Sequence, residues 1–103
     1  MTDTSKAPEN CNTMAEVRAG VDATDLALIK LLEIRYGYMR AAARIKETRG
    51  AVRDEERKAS VIEAAADAAQ NAGLPHRDIA EIWDRLVESS IAYELIEWER
   101  IRG

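Results

Sequence analysis

Arg35, Lys46 and Glu94 each interrupt an apolar helical stripe, and that placement is where chemistry is first visible in this chain. At 100° per residue, Arg35 and Lys46 lie about 20° apart on one helix, on the side of Leu28, Leu32 and Met39. Two cations on a buried stripe are costly unless something anionic meets them. Their stems, reaching toward each other from about 16 Å apart along the axis, bracket a ligand of ring size. Glu94 lies about 20° from Trp83 and Val87 on a later helix, one turn beyond Ser90. A carboxyl buried there is either paired with a cation, for which Lys46 is the obvious neighbour, or protonated. Arg57, in the first turn of another helix, adds a cation beside a helix N-terminus. Arg18 lies about 25 Å from Arg35 along the axis and roughly 100° round from it, so it cannot join the same small site in its own chain. In a dimer of such rods it reaches the partner's site.

These groups suit a particular kind of reaction. The sequence has no Ser-His-Asp set, no CxxC, no HExxH and no phosphate-binding Gly loop. A dry pocket of fixed cations with one hydrogen-bonding carboxyl needs no nucleophile. It positions a multiply anionic substrate and stabilises the charge that develops on it. Blander readings stand beside this one. An arginine on a helix stripe is ordinarily a snorkelling surface residue, and Glu94 alone could be a structural ion-pair partner. In the stretch RAAARIKETRGAVRDEER, residues 40 to 57, the side chains of Arg40, Arg44, Arg49 and Arg53 fit a solvated face or loop. His76, beside Pro75, reads as surface and Cys11 as inert. Tyr36, Tyr38, Tyr93, Trp83 and Trp98 read as core or dimer contact.

Three helices position these residues. Val17, Val21, Leu28, Leu32, Met39, Ala42 and Ala43 recur at three- and four-residue steps, predicting a first helix from about Met14 to about Arg49 with Gly50 as its stop. A second runs from about Asp54, a suitable N-cap, to Ala72. Glu55 and Glu56 stand in its first turn, Gly73 just past its last, and its face of Ala59, Ile62, Ala66 and Ala69 is small-sided. The third follows Leu74-Pro75 and runs to about Arg100, with a stripe of Ile79, Trp83, Leu86, Val87, Ser90, Ile91, Leu95 and Trp98. Residues 1–13, polar and holding Pro8, are expected to be a flexible arm, and 14–103 the folded domain.

The lengths of these helices conflict with a monomer. The first is a rod of about 54 Å, whereas a compact chain of this size has a radius of gyration of about 13 Å. Helices of about 28 and 38 Å cannot cover both ends of such a rod. Its uncovered apolar length is expected to pack against another copy, giving an all-α, intertwined homodimer with first helices paired.

Bulk composition narrows the class further. The chain has 103 residues, 47 % hydrophobic and 33 % charged, enough for one globular domain. Its formal net charge of −4 and the lack of an uninterrupted basic face argue against nucleic-acid or membrane binding. The single cysteine forms no internal disulfide, no apolar run approaches a membrane span, and the N-terminus lacks a signal-peptide core. A soluble cytoplasmic protein is expected.

The sequence resembles the all-helical chorismate mutase family, which includes the isochorismate pyruvate-lyase of salicylate formation. The likeness covers essentially residues 9 to 103. It rests on MAEVRAGVDATDLALIKLLEIRYGYMRAAARIK, AVRDEER and ESSIAYE, and within the first on Arg-x3-Asp-x2-Asp at 18 to 25 and Leu-Leu-x2-Arg at 31 to 35 followed by Lys46. The resemblance implies an intertwined dimer with two sites, each taking one arginine, here Arg18, from the partner. It implies that Arg35 and Arg57 bind carboxylates and that Lys46 contacts a carboxylate and the ether oxygen. Asp54 borders the ring, Ser90 and Ile91 line the pocket, and Glu94 hydrogen-bonds the ether oxygen. The implied reaction is the Claisen rearrangement of chorismate to prephenate, with no metal or organic cofactor.

Two departures from the family pattern bear on this. Many relatives have Gln at the position of Glu94; a carboxyl donates only when protonated, so activity is expected to fall as pH rises. Many mutases have a glutamate at the position of Lys58 that contacts the ring hydroxyl, a role left here to Glu55 or Glu56. PENC at 8 to 11 and EWERIRG at 97 to 103 look more like the lyase branch, whereas AVRDEER looks like the mutase loop. The alternative activity is therefore conversion of isochorismate to salicylate and pyruvate. A non-catalytic helical interaction dimer is the reading from a different class.

Overall fold

The computed structural model describes residues 6–103, which are helical with no strand among them. Helix α1 spans Met14–Ile45, α2 Glu55–Asn71 and α3 His76–Arg102, and short 3-10 turns lie at Pro8–Asn10 and Arg49–Ala51. One long helix and two shorter ones is the expected arrangement. The chain divides into two compact units, residues up to Tyr36 and residues Gly37–Gly103.

In the first unit, α1 begins with a reciprocal cap. The amide of Glu16 donates to Thr13 Oγ1 at 3.1 Å, and the amide of Thr13 donates to Glu16 Oε1 at 3.1 Å. This is the Ser/Thr-x-x-Glu capping box, which satisfies amides that a helix start otherwise leaves without partners. Lys6 pairs with the same carboxylate and is the main reason its pKa is lowered. Of the expected arm, residues 1–5 lie outside the described residues. Residues 8–10 form the 3-10 turn, and Asn12 and Thr13 take part in the cap. Along α1 the apolar side chains Val21, Leu28, Leu31 and Ile34 are all exposed in the single chain. Ala43 is the one residue that α1 buries.

The second unit is built on α2 packed against α3. Asp54 caps α2, its Oδ1 accepting from the amide of Arg57 at 3.0 Å. At the other end Gly73 adopts φ +75°, the left-handed conformation that a side chain resists. Leu74 N donates to Ala69 O at 2.8 Å and Gly73 N to Gln70 O at 3.1 Å, which closes a Schellman motif. Among the described residues Ala43, Val52, Ala69 and Val87 are the buried apolar ones, and no large side chain is fully buried. Such a core is small for a chain of this length.

The end of α1 departs from the sequence expectation. The helix stops at Ile45 rather than near Arg49, and Gly50 sits inside the Arg49–Ala51 turn with no positive φ. Side chains of α3 do the work expected of a glycine cap. Trp98 Nε1 donates to the carbonyl of Lys46 at 3.0 Å; Arg102 donates to the same carbonyl at 2.7 Å and to that of Ala43 at 3.0 Å. With its last carbonyls satisfied from outside, the chain leaves the helix four residues early. No helix among the described residues is long and apolar enough to cross a membrane.

Candidate active site

Within the second unit, Lys46 follows the last turn of α1 and Glu94 lies in α3. The structure brings them together: Lys46 Nζ donates to Glu94 Oε2 at 2.7 Å. The carboxyl side chain keeps 5 % of its surface and the lysine side chain 29 %, so the pair is buried on the acid's side and open on the amine's. Lys46 Nζ also reaches the carbonyl of buried Val52, at 3.4 Å. An ammonium has three donors, so one is left to meet an incoming anion. Burial of Val87, Ser90 and Glu94 on α3 agrees with the stripe that Glu94 was expected to interrupt.

The other expected residues fall as follows. Ser90 is buried one turn before Glu94, its hydroxyl donating to Leu86 O at 2.7 Å. Ile91, next to it, is half-buried. Asp54 is exposed, with one oxygen engaged in capping α2. Arg57 is exposed, and its guanidinium makes no ion pair among the described residues, so it stands uncommitted beside the α2 N-terminus. In the first unit, Arg18 is exposed and Arg35 half-buried.

The basic stretch sorts into two groups. Arg53 grips Glu88 with two hydrogen bonds, at 2.8 and 3.1 Å, and also Glu55 at 2.9 Å. Lys58 meets Glu88 at 2.7 Å and Asp84 at 3.1 Å. Arg53 first, and Lys58 with it, holds the Glu88 carboxyl down to about 2; the same bonds push both cations up. Arg49 pairs with Glu99 at 2.7 Å, and Arg40 donates to the Tyr93 hydroxyl at 2.8 Å. Arg40, Arg49 and Arg53 are exposed, as expected of a solvated face, yet each is tied to α3. Lys46 and Arg57 differ from these: one faces a buried carboxyl and the other is uncommitted.

A hollow of about 400 Å³ lies beside this region, lined by Arg49, Val52, Arg53, Glu88, Ile91 and Leu95 among others. Its walls include Ile91 but neither Lys46 nor Glu94. Three contributors escaped the sequence reading. The Val52 carbonyl leaves no trace in side-chain pattern. Trp98 and Arg102 are four residues apart, the spacing that puts both on one face of the last turn of α3, where Arg102 stacks 4.3 Å from the Trp98 ring centre. That spacing was readable; its target was not.

The described residues are helical, with no strand among them, and hold a Lys46–Glu94 pair whose acid is nearly sealed from water. Residues 17–95 match the family described as chorismate mutase type II. The chain is also 30 % identical over 98 residues to isochorismate pyruvate lyase of Pseudomonas aeruginosa, covering 95 % of this chain and 97 % of that protein. It belongs to the type II chorismate mutase family.

Proposed function

We propose that this protein is a chorismate mutase, acting as an intertwined homodimer that converts chorismate to prephenate. The observation that carries the reading is the Lys46 ammonium, seated on a buried carboxyl with one side still open. Arg35, Arg57 and the partner's copy of Arg18 hold the two substrate carboxylates and select the compact conformer, which turns a floppy rearrangement into a positioned one. Asp54 borders the ring, and Ser90 and Ile91 shape the wall. As the C–O bond breaks, the ether oxygen gains negative charge. Lys46 stabilises it as a fixed cation, and Glu94, paired with Lys46, holds that cation in place against it.

The dimer is supported by the surface of α1. Val21, Leu28, Leu31 and Ile34 are 51–62 % exposed in the single chain, along a helix that buries only Ala43. Apolar side chains left open in such number along one helix mark an interface. A second copy laid along it supplies the missing core and carries its Arg18 to the site.

Two observations favour a second activity, elimination of pyruvate from isochorismate to give salicylate. The lyase relative matches nearly end to end, and Lys58 is fastened to Glu88 and Asp84, so position 58 offers no carboxylate to a ring hydroxyl. Both reactions use the same anion pocket. Purified protein incubated separately with each substrate decides between them: prephenate from chorismate identifies the mutase, salicylate with pyruvate from isochorismate the lyase. Conversion of neither leaves a non-catalytic helical dimer.

A further inference from the structure

We infer that Trp98 and Arg102 are positioning residues, which fix the Lys46 ammonium by holding that residue's own backbone carbonyl. This rests on the assignment of Lys46 to the reacting centre. Lys46 is the first residue past α1, and its amide still donates to Ala42 O at 2.9 Å. Its carbonyl is one of the groups a helix C-terminus leaves without an internal donor, and no glycine follows to close a cap. The donors come from 52 and 56 residues away. Arg102 spans two carbonyls, that of Ala43 in the final turn of α1 and that of Lys46 just past it, with the two arms of its guanidinium. It also lies over the Trp98 ring, which orients both donors together.

The consequence for Lys46 follows from its geometry. The side chain is held at its tip by Glu94 and Val52, and its stem starts from a backbone position that would otherwise fray. Released, a long lysine regains rotamer freedom and its tip wanders. A displacement of about 1 Å in a positioned charge can cost about 100-fold in rate. Neither Trp98 nor Arg102 makes a hydrogen bond to the Glu94 carboxyl or to the Lys46 ammonium, so their bonds bear on that ammonium through the backbone that carries it.

The test compares Trp98→Phe, Arg102→Ala, Arg102→Lys and the double variant Trp98→Phe/Arg102→Ala with the full-length protein, using whichever substrate it converts. Each of the first two should lower kcat about tenfold with KM within about twofold, since the lost contact bears on charge developing in the transition state. The double variant should lose less than the product of the singles, because both act on one carbonyl. Arg102→Lys, which still reaches that carbonyl but cannot span two, should retain more activity than Arg102→Ala. Glu99→Gln, which frees Arg49 on the same connection, should leave kcat unchanged. Unchanged kcat in both single variants, or losses that track the folded fraction seen by circular dichroism, overturns the inference. Hydrogen exchange at the Lys46 amide supplies a readout that needs no substrate. It should quicken about tenfold in Arg102→Ala relative to amides in α2. If the protein converts neither substrate, the assigned reaction fails while exchange still decides whether the carbonyl is held; an unaltered exchange rate overturns the inference by itself.

Discussion

The ammonium of Lys46 lies 2.7 Å from the Glu94 carboxylate, across 48 residues of sequence, with the acid nearly sealed from water. A pair like this is a poor source of stability and a strong constraint, because removing one partner strands the other. Lys46→Met should destabilise the protein by about 3 kcal/mol, the low end for breaking a buried pair since the lysine keeps some exposure. It should also abolish activity. Lys46→Met/Glu94→Leu should recover most of that stability and none of the activity. Thermal midpoints and turnover on the same three proteins check both halves. A double variant no more stable than the single one means that Glu94 does not depend on Lys46.

A second consequence concerns Glu94 itself. With the Lys46 ammonium 2.7 Å away, its carboxyl anchors that cation. Glu94→Gln keeps an oxygen that accepts from Lys46, whereas Glu94→Ala leaves the ammonium without that acceptor, so the glutamine variant should keep more activity. Turnover of the two variants, measured side by side, decides the matter. Equal losses assign the effect to the lost charge rather than to anchoring.

Away from that pair, Glu88 offers a stability test of its own. Arg53 and Lys58 hold its carboxyl down from an ordinary 4.5 to about 2 in the folded chain. Lowered in the folded state, it gives a stabilisation that is fully present above about pH 4.5 and is lost as pH falls through about 2. The gap in thermal midpoint between the parent protein and Glu88→Gln should therefore be widest near neutral pH and close toward pH 2. Added salt should narrow it at neutral pH, since the three side chains are partly exposed. A gap of constant size across that range assigns the effect to packing rather than to charge.

What the sequence revealed follows from the range over which each signal acts. The α2 boundaries were legible because Asp54 and Gly73 act within a turn of where they stand. Burial of Glu94 was legible because a stripe of Val87 and Ser90 has a fixed angular direction. The end of α1 was misjudged for the opposite reason. Its stop comes from Trp98 and Arg102, and no local pattern at residues 45 to 50 reports a donor more than 50 residues away. The same holds for Arg53. Its sequence context marks it as an exposed cation, while its partner Glu88, shared with Lys58, is set by how α2 lies on α3. The capping box at Thr13 and Glu16 was there to be read and went unread. Among the site residues, Lys46 and Glu94 meet as expected of a cation and a carboxyl that both interrupt apolar stripes, and Arg18, Arg35 and Arg57 carry roles that depend on the substrate's carboxylates.

The sharpest of those roles is that of Arg18, and subunit mixing tests it directly. Arg18→Ala and Lys46→Ala should each be inactive as homodimers, because every site in either lacks one of its cations. Suppose the two proteins are unfolded together, mixed in equal amounts and refolded. Random pairing makes about half of the dimers mixed. In a mixed dimer, the site built on the Arg18→Ala chain has its own Lys46 and receives Arg18 from the other subunit. The remaining site lacks both. Recovered activity should therefore approach about one quarter of the parent value, from one good site in half of the molecules. A cation serving only its own chain gives a different result, since no pairing then places Arg18 and Lys46 in one site, and the mixture stays as inactive as its components. The same samples, followed by sedimentation with Leu31→Glu as a disrupted reference, show whether α1 pairing holds the dimer together. An exposed leucine in a monomer tolerates that charge, whereas at a buried seam it drives the chains apart and makes the thermal midpoint depend on protein concentration.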